Sequence, residues 1–196
     1  MRKKLNSNQL LLGLVVLFFT ISCTKTAIPK PRGYFRIEFE GKKYQTTKAN
    51  LPYSFEFPTY AVLQKDSSAI AEPYWMNLEF KSHKATLHIS YKTIQKNFNQ
   101  LEEDSRNLAY KHAIKADAIN EKQFADQEKH TYGILYQIKG DAASPLQFFV
   151  TDSTTHFMRG SLYFNSVPNK DSLAPVVDFL TEDIMRLVES IKWTNN

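Results

Sequence analysis

The feature that most constrains this chain is its first 23 residues, which have the order of an export signal. Met1 to Lys4 carry three positive charges, and the run from Leu10 to Ile21 is apolar with only two interruptions. Ser22 and Cys23 follow at once. A basic start, a short apolar run and a final small residue are typical of a secretory signal peptide. A bilayer core about 30 Å thick needs about 20 apolar residues, so this run is too short to span a membrane stably.

The end of this segment resembles the lipobox of bacterial lipoproteins, in which a cysteine directly follows a small residue. Ile21, Ser22 and Cys23 fit the pattern, whereas Thr20 departs from it because that position usually carries Leu. The resemblance implies that the leader is cut before Cys23, that its thiol takes a diacylglycerol thioether and that the new amine is acylated, for example with palmitate. An ordinary secretory leader with an incidental cysteine is the alternative.

Three regions are therefore expected along the chain. Residues 1–22 are the predicted lipoprotein signal peptide, and residues 23–33 the predicted lipid-anchored tether, which contains two prolines and no periodic pattern. Residues 34–196 are the predicted single domain. About 160 residues bury close to 70% of their unfolded surface, so such a domain needs no disulfides to be stable.

The net charge argues against nucleic-acid binding. The chain has 25 basic and 20 acidic residues, and removing the three basic residues of the leader leaves 22 basic residues against 20 acidic ones. The remaining lysines are scattered, with no run dense enough to neutralise a phosphate backbone. We therefore expect no nucleic-acid partner.

The cysteine and histidine content argues against a metal site or a thiol enzyme. Cys23 is the only cysteine, and its acylation removes any thiolate chemistry. The five histidines form neither H-x-H nor H-x-x-x-H, so zinc has no local signature. We expect no metal and no cofactor.

Period-two alternation of apolar and polar residues predicts strands on both sides of a helical segment. Trp75 to Phe80 and Ala85 to Lys92 flank a polar turn, which predicts a hairpin. The other predicted strands are Tyr34 to Phe39, Phe55 to Phe57, Ile119 to Phe124, His130 to Lys139, Leu146 to Thr151 and His156 to Asn165.

Two segments have helical periodicity instead. Asn97 is the predicted N-cap of the first helix. Its apolar stripe comprises Phe98, Leu101, Leu108, Ala109 and His112. The second runs from Leu173 to Ile191, with Asp171 or Ser172 as its cap and Pro175 in its first turn. The order of elements predicts an α+β fold, with a single antiparallel sheet flanked by two amphipathic helices.

Several strings in the chain are more particular than secondary structure requires. They are PKPRGY (29–34), YKHAIKADAI (110–119), QFFVTDSTTHFMRGSLYF (147–164) and PNKDSLAP (168–175). They resemble the GldD family of gliding-motility lipoproteins of the Bacteroidota over nearly the whole chain after Cys23. The resemblance implies an α+β domain and carries over one functional residue, the acylated Cys23, and no catalytic residue. The order of elements is also similar to the PsbP-like α/β/α fold, which is an analogy of fold alone.

The resemblance also implies a function and a location. The family consists of envelope lipoproteins needed for surface gliding and linked to type IX secretion, so the implied partners are other proteins of that machinery. Cell-surface lipoproteins of this phylum often carry an acidic cluster after the lipidated cysteine. No such cluster follows Cys23, which favours a periplasm-facing domain. The sequence does not distinguish the inner from the outer membrane.

One segment has the residue types of a catalytic triad. Asp152, Ser153 and His156 lie within five positions of each other across a predicted turn. A triad needs a base that reaches the nucleophile and a third group that orients the base, normally from separate elements. No G-x-S-x-G elbow is present. We interpret the segment as a tight turn.

A mixed polar patch is predicted where the first helix gives way to a strand. It comprises Tyr110, Lys111, His112, Lys115 and Asp117. Cations at a helix C-terminus stabilise its dipole, which is one explanation; contact with a protein partner is the other. The aromatic residues Tyr34, Tyr53, Tyr74 and Trp75 are likewise either partner anchors or core.

Three functions follow in order of preference. The first is a non-enzymatic lipoprotein that docks onto envelope proteins of the gliding and type IX secretion apparatus. The second is a periplasmic lipoprotein that binds a small ligand, which requires an apolar cavity of several hundred Å³ with converging polar groups. The third is a hydrolase of envelope material acting through Ser153 and His156.

Overall fold

A seven-stranded antiparallel sheet is the centre of the fold. The structure is a computed structural model and describes residues 37–48 and 50–194. The predicted signal peptide, Cys23 and the tether lie outside the described residues. The boundaries expected between these regions therefore remain predictions.

The helices and strands follow one another in the order strands, helix, strands, helix. The strands are β1 (Tyr44–Thr46), β2 (Tyr53–Ser54), β3 (Glu56–Pro58), β4 (Val62–Lys65), β5 (Met76–Phe80), β6 (Ala85–Thr93), β7 (Ala116–Asp126), β8 (Thr131–Gly140), β9 (Leu146–Thr151), β10 (His156–Phe164) and β11 (Lys192–Trp193). The helices are α1 (Phe98–Tyr110) and α2 (Lys170–Glu189), with short 3₁₀ turns at Lys81–His83 and Ala113–Lys115.

The strand order in the large sheet is β4-β5-β6-β10-β9-β8-β7. Two antiparallel meanders, β4 to β6 and β7 to β10, meet where β10 pairs with β6. Helix α1 connects the end of β6 to β7 at the far edge of the sheet.

A row of five leucines in register forms the centre of the main core. The row runs across β4, β5, β6, β10 and β9 and consists of Leu63, Leu78, Leu87, Leu162 and Leu146. Residues directly opposite each other on antiparallel strands share a face, so all five side chains lie on one side of the sheet. Leu180, Ile184 and Leu187 of α2 pack into the same cluster. Four leucines of the row are fully buried and Leu63 is partly buried. A fully buried leucine contributes about 1.5–3 kcal/mol to folding, so this row is a major source of stability.

Helix α1 lies on the other face of the sheet. Phe148 of β9 belongs to the leucine-row core, whereas its neighbour Phe149 packs with Leu101 and Ala109 of α1. Because successive strand residues point to opposite faces, the two helices lie on opposite sides of the sheet. The α+β class predicted from the sequence is confirmed, with three layers in the order α2, sheet, α1.

The prediction of a single sheet was wrong in detail, because two short ribbons accompany the large sheet. β1 pairs with β3, and β2 pairs with β11. Tyr53, Phe55 and Phe57 alternate inward along the ribbon strands and pack into the core beside α2. The ribbon strands therefore cover α2 instead of extending the sheet edge.

The predicted strand at Tyr34 to Phe39 is not a strand over its described residues, 37–39. Phe39 stacks on Phe179 of α2 with ring centroids 4.3 Å apart, and Glu40 pairs with His83 at 3.0 Å. These residues contact a helix and a hairpin turn, so the alternating pattern does not reflect sheet pairing.

The helix starts differ from the predicted caps. Asn169, rather than Asp171 or Ser172, caps α2, with its side-chain oxygen accepting from the Ser172 amide at 3.1 Å. Pro175 consequently lies in the second turn. Asn97 precedes α1 as predicted, but its side chain accepts from the backbone amide of Gln95 and caps nothing.

The first described residues are held to α2 through one buried carboxylate. Asp183 is 1% exposed and accepts hydrogen bonds from the hydroxyls of Tyr44, at 2.8 Å, and Tyr60. Lys42 Nζ lies 3.2 Å from Asp183 Oδ1 and donates to the carbonyl oxygen of Phe179 at 2.8 Å. A buried carboxylate is costly unless its oxygens are paired, and these three donors provide the pairing. We call this group the Asp183 clamp.

We expect Asp183→Asn to lower the free energy of unfolding by about 2–4 kcal/mol. The amide keeps the volume but removes the charge that pairs with Lys42 and one of the two acceptor oxygens. Glu182→Gln is the matched control, since Glu182 also pairs with Lys42 at 2.8 Å but has a side chain that is 72% exposed. We expect this control to change stability by less than about 0.5 kcal/mol. Urea unfolding measures both, and equal losses would show that the clamp does not depend on the buried carboxylate.

Candidate functional site

The segment with triad residue types forms a turn whose carboxylate is used by the backbone. Asp152 Oδ1 accepts the amide hydrogens of Thr154, Thr155 and His156 at 2.8–3.0 Å. Burial alone would raise the pKa of Asp152, but these hydrogen bonds outweigh it and hold the pKa below its usual range. The carboxylate therefore stabilises the turn between β9 and β10.

His156 is held in a buried aromatic cluster and not by Asp152. Its ring stacks on Trp193 with centroids 5.1 Å apart, and its Nδ1 hydrogen-bonds the Tyr91 hydroxyl at 2.7 Å. Its Nε2 has no hydrogen-bond partner among the described residues, so Ser153 is not bound to it. The residues that a hydrolase would need are present but are not assembled into a triad in the described part of the chain.

The predicted patch at the end of α1 is divided by the structure. The Tyr110 hydroxyl donates to Glu121 on β7 at 2.9 Å, and Asp117 pairs with Lys170 of α2 at 2.6 Å. Lys111 and Lys115 are exposed. Tyr110 and Asp117 thus already have partners on other elements, and contact of the five residues with a protein partner stays a prediction.

His112, the remaining patch residue, faces the sheet. It is half-buried, and its ring centroid lies 6.3 Å from that of Tyr163 on β10. Burial, and then the nearby charge of Arg159, lowers the pKa of His112 below its ordinary value. His112 thus points to a part of the molecule that the sequence did not single out.

Of the predicted aromatic anchors, one belongs to the core and one is partly buried. Tyr53 is 1% exposed and its hydroxyl donates to the Tyr74 carbonyl at 2.6 Å, while the Trp75 indole donates to the Tyr91 carbonyl at 3.1 Å. Tyr74 remains exposed, and Tyr34 lies outside the described residues.

A row of polar residues crosses all seven strands on the face that carries α1. Its members are in register and, from β4 to β7 across the sheet, are Gln64, Asn77, His88, Ser161, Gln147, Tyr136 and Glu121. Each of the five row leucines is the chain neighbour of a member of this polar row. We call these seven residues the polar row and propose it, together with Arg159, as the candidate site.

The middle of the polar row is buried with unpaired polar atoms. Tyr136 and Gln147 are each 1% exposed and Ser161 is 3% exposed. The Tyr136 hydroxyl, Gln147 Nε2 and Ser161 Oγ have no hydrogen-bond partner among the described residues. A buried polar group left unpaired costs about 1–3 kcal/mol, so three on adjacent strands need an explanation.

Arg159 lies beside the middle of the row. It precedes Ser161 by two residues on β10 and therefore shares its face. Its Nη2 donates to Gln147 Oε1, and no ion pair joins it to a carboxylate within the described ranges. Burial lowers the pKa of the Arg159 guanidinium, but a group of this basicity stays charged at neutral pH.

Helix α1 covers one half of this face and leaves the other half open. Its buried stripe is Leu101, Ser105 and Ala109, and it packs on β9. Leu108, which the sequence placed in the apolar stripe, is 37% exposed. Beyond the end of α1, His88 of β6 is exposed and hydrogen-bonds Asn77 at 2.8 Å.

The groups at the site are mainly hydrogen-bond donors. The site contains one guanidinium, two hydroxyls and the amide nitrogen of Gln147, and all of them can donate hydrogen bonds. No group of three His, Cys, Asp or Glu side chains that could hold a metal ion occurs in residues 37–48 and 50–194. A ligand with acceptor oxygens would satisfy these donors.

A groove elsewhere in the molecule has the size of a ligand site. It lies between the first half of α2 and strands β8 and β9, and its volume is about 450 Å³. Leu173, Val177 and Ala142 line it, and the Lys170–Asp117 ion pair lies at its edge.

Of the two helices described, neither is long and apolar enough to cross a membrane.

Comparisons with known proteins identify a family and a fold. A family model described as gliding motility lipoprotein GldD matches residues 24–193. A comparison with curated proteins found no match. Among solved structures, the chain is similar to the solution structure of cyanobacterial PsbP (CyanoP) from Synechocystis sp. PCC 6803, with 10% identity and a TM-score of 0.50. The match covers 84% of this chain and 99% of that one, and it confirms the predicted PsbP-like fold without bearing on function.

We expect Tyr136→Phe to leave the free energy of unfolding unchanged or to raise it by about 1 kcal/mol, because it removes an unpaired buried hydroxyl. Tyr53→Phe is the matched control: this tyrosine is equally buried but its hydroxyl is bonded, so we expect a loss of about 1 kcal/mol. Urea unfolding at pH 7 measures both. A loss at Tyr136 as large as at Tyr53 would show that its hydroxyl is already satisfied.

The free energy of unfolding of the same variant should also depend on pH differently from that of the natural protein. Burial raises the pKa of Tyr136 from 10.0 to about 12, so the folded state keeps the proton that the unfolded state loses first. The contribution of protonated Tyr136 to the free energy of unfolding is therefore complete below pH 10 and is lost as the pH rises to about 12. Tyr136→Phe should lose less stability than the natural protein over that range.

Proposed function

Because the chain belongs to the gliding motility lipoprotein GldD family, we propose that it is a non-enzymatic docking component of the gliding and type IX secretion machinery. Family membership gives it a role in gliding motility as a membrane-anchored envelope lipoprotein. The proposal adds that the anchor is the acylated Cys23 and that the domain faces the periplasm. It also adds that the domain acts by holding other envelope proteins together.

The observation that carries the docking proposal is the open half of the polar row. An antiparallel sheet can leave one face to solvent, and strands β4 to β6 do so next to the half-buried cation of Arg159. The opposite face of those strands is filled by the leucine row, so a partner can bind the polar face without disturbing the core.

The turn chemistry supports a non-enzymatic role. Asp152 is occupied by backbone amides and His156 is packed between Tyr91 and Trp193, so both residues already have structural partners. A hydrolase would need Asp152 and His156 to act on one nucleophile.

We expect Cys23→Ala to abolish both acylation and spreading of colonies, because the domain would lose its attachment to the membrane. Mass spectrometry of protein from the native cell and a spreading assay measure the two effects. Ser153→Gly is the control that removes the nucleophile of the triad-type segment; Ser153 has φ 65°, a conformation that glycine adopts without strain. It should spread normally. Normal gliding with a soluble, unlipidated protein would contradict the anchor, and loss of gliding in Ser153→Gly would favour the hydrolase.

A second candidate function, binding of a small ligand, is favoured by the groove beneath α2. Its volume of about 450 Å³ is in the range of ligand pockets. We expect Leu173→Trp, which fills the groove, to leave spreading unchanged because docking uses the other face of the sheet. Spreading lost at normal protein abundance would instead support the ligand-binding function.

A further inference from the structure

Arg159 is a half-buried cation for which the structure shows few protein partners. Removing part of a guanidinium from water costs free energy unless its charge is paired. Arginine has five N–H donors in a planar fork, and the structure shows one acceptor for them, Gln147 Oε1. In the part of the chain that the structure describes, Arg159 has no carboxylate within ion-pair distance, although other arginines of the domain, Arg106 and Arg186, have one each.

The groups around Arg159 would complete the binding of an oxyanion. The Tyr136 hydroxyl, Gln147 Nε2 and Ser161 Oγ are buried on the same face and have unused hydrogen-bonding capacity. Arg159 is close enough to Tyr136 and to Tyr163 for its charge to interact with both rings' hydroxyls. Arginine forms bidentate, charge-assisted hydrogen bonds with planar two-oxygen acceptors, and such bonds are among the strongest in proteins.

The local charge fits a monoanion. His112 is a further titratable side chain close to Arg159, and its lowered pKa keeps it neutral at pH 7. Lys92, on the same face of β6, is paired with Glu72 at 2.6 Å. The site therefore offers one uncompensated positive charge, which matches a carboxylate better than a doubly charged phosphate.

The open face beside the site fits a carboxylate carried by a protein. His88 and Gln64 of the polar row are exposed, and Thr86 and Ser90 are partly exposed, which gives an extended polar surface and not an enclosed pocket. Arg159 is itself partly exposed, so a side chain of a bound partner can approach its guanidinium from this surface. The backbone of that partner would then find further hydrogen-bonding groups along β5 and β6.

We propose that Arg159, with Ser161, Gln147 and Tyr136, is a receptor for an aspartate or glutamate side chain of a protein partner. The inference rests on the proposed docking function and names the chemistry that the partner must present. The guanidinium supplies the charge, and the three neighbouring residues supply fixed hydrogen bonds.

The test uses the full-length lipidated protein in detergent micelles, with ¹⁵N-labelled arginine, and follows the Nε–H signal of Arg159 by NMR. The probe is a blocked tetraglutamate peptide, and the controls are a tetraglutamine peptide and inorganic phosphate. We expect the Arg159 signal to shift with tetraglutamate and to stay in place with tetraglutamine. An equal or larger response to phosphate, or no response to any probe, would overturn the proposal.

Variants distinguish a specific site from general charge attraction. Their binding to labelled tetraglutamate is measured by fluorescence anisotropy. Arg159→Met should weaken binding about tenfold or more, and Arg159→Lys should be intermediate because lysine keeps the charge but loses the fork. Arg106→Met is the control, since Arg106 lies on α1 with a side chain that is 62% exposed. Equal losses in the Arg106 and Arg159 variants would overturn the receptor.

Folding is checked independently in the same variants. Arg159→Met removes a half-buried charge but also the donor to Gln147 Oε1, and because these effects oppose each other we expect its urea midpoint to stay close to that of the natural protein. If Arg159→Met is unstable, tetraglutamate binding is measured in Arg159→Lys instead. Unchanged binding in Arg159→Lys would then overturn the bidentate site.

Spreading assays distinguish this inference from the proposed function. Normal spreading of Arg159→Met beside failure of Cys23→Ala would overturn the receptor and leave the anchored docking role intact. Normal spreading of Cys23→Ala would overturn the docking role itself. Loss of spreading in Arg159→Met, with normal abundance and acylation, supports the receptor.

Discussion

The register of the seven-stranded sheet is the constraint on which the rest of the structure depends. It aligns five leucines on one face and, one residue along each strand, a polar row on the other. A slip of one residue in any pair would exchange the two faces there and place a leucine under α1 and a polar group in the main core. The register that closes the core therefore also builds the candidate site.

The two helices use their faces of the sheet differently. Helix α2 packs Leu180, Ile184 and Leu187 against the leucine row and forms the larger core. Helix α1 presents a narrower stripe, in which Ser105 stands between Leu101 and Ala109, to a face with unpaired polar atoms. The larger apolar core thus lies on one side of the sheet. The other side contains buried polar groups that the main core would not tolerate.

Sequence reasoning succeeded where a pattern is local. The alternation of Ala85 to Lys92 and of His130 to Lys139, and the 3.6-residue period after Leu173, each predicted an element within a few residues of its bounds. The pairing of β6 with β10 joins residues more than 60 positions apart, and no local pattern specifies it. The same limit hid Arg159, which reads in the sequence as an ordinary polar residue of a strand. A signal did exist: an arginine within the apolar run from Phe157 to Phe164, but alone it does not reveal its neighbours.

The Asp183 clamp determines which part of the domain bears a force that is applied at its amino-terminal end. Lys42 and Tyr44 lie close to the first described residue, and their bonds lead to the middle of α2 instead of to a sheet edge. Traction along the chain would load several polar bonds of the clamp at once, across a helix whose apolar side is embedded in the leucine core. Peeling strands one by one from an edge needs far less force than shearing such a joint, so this geometry makes the domain resistant to a force applied near Lys42.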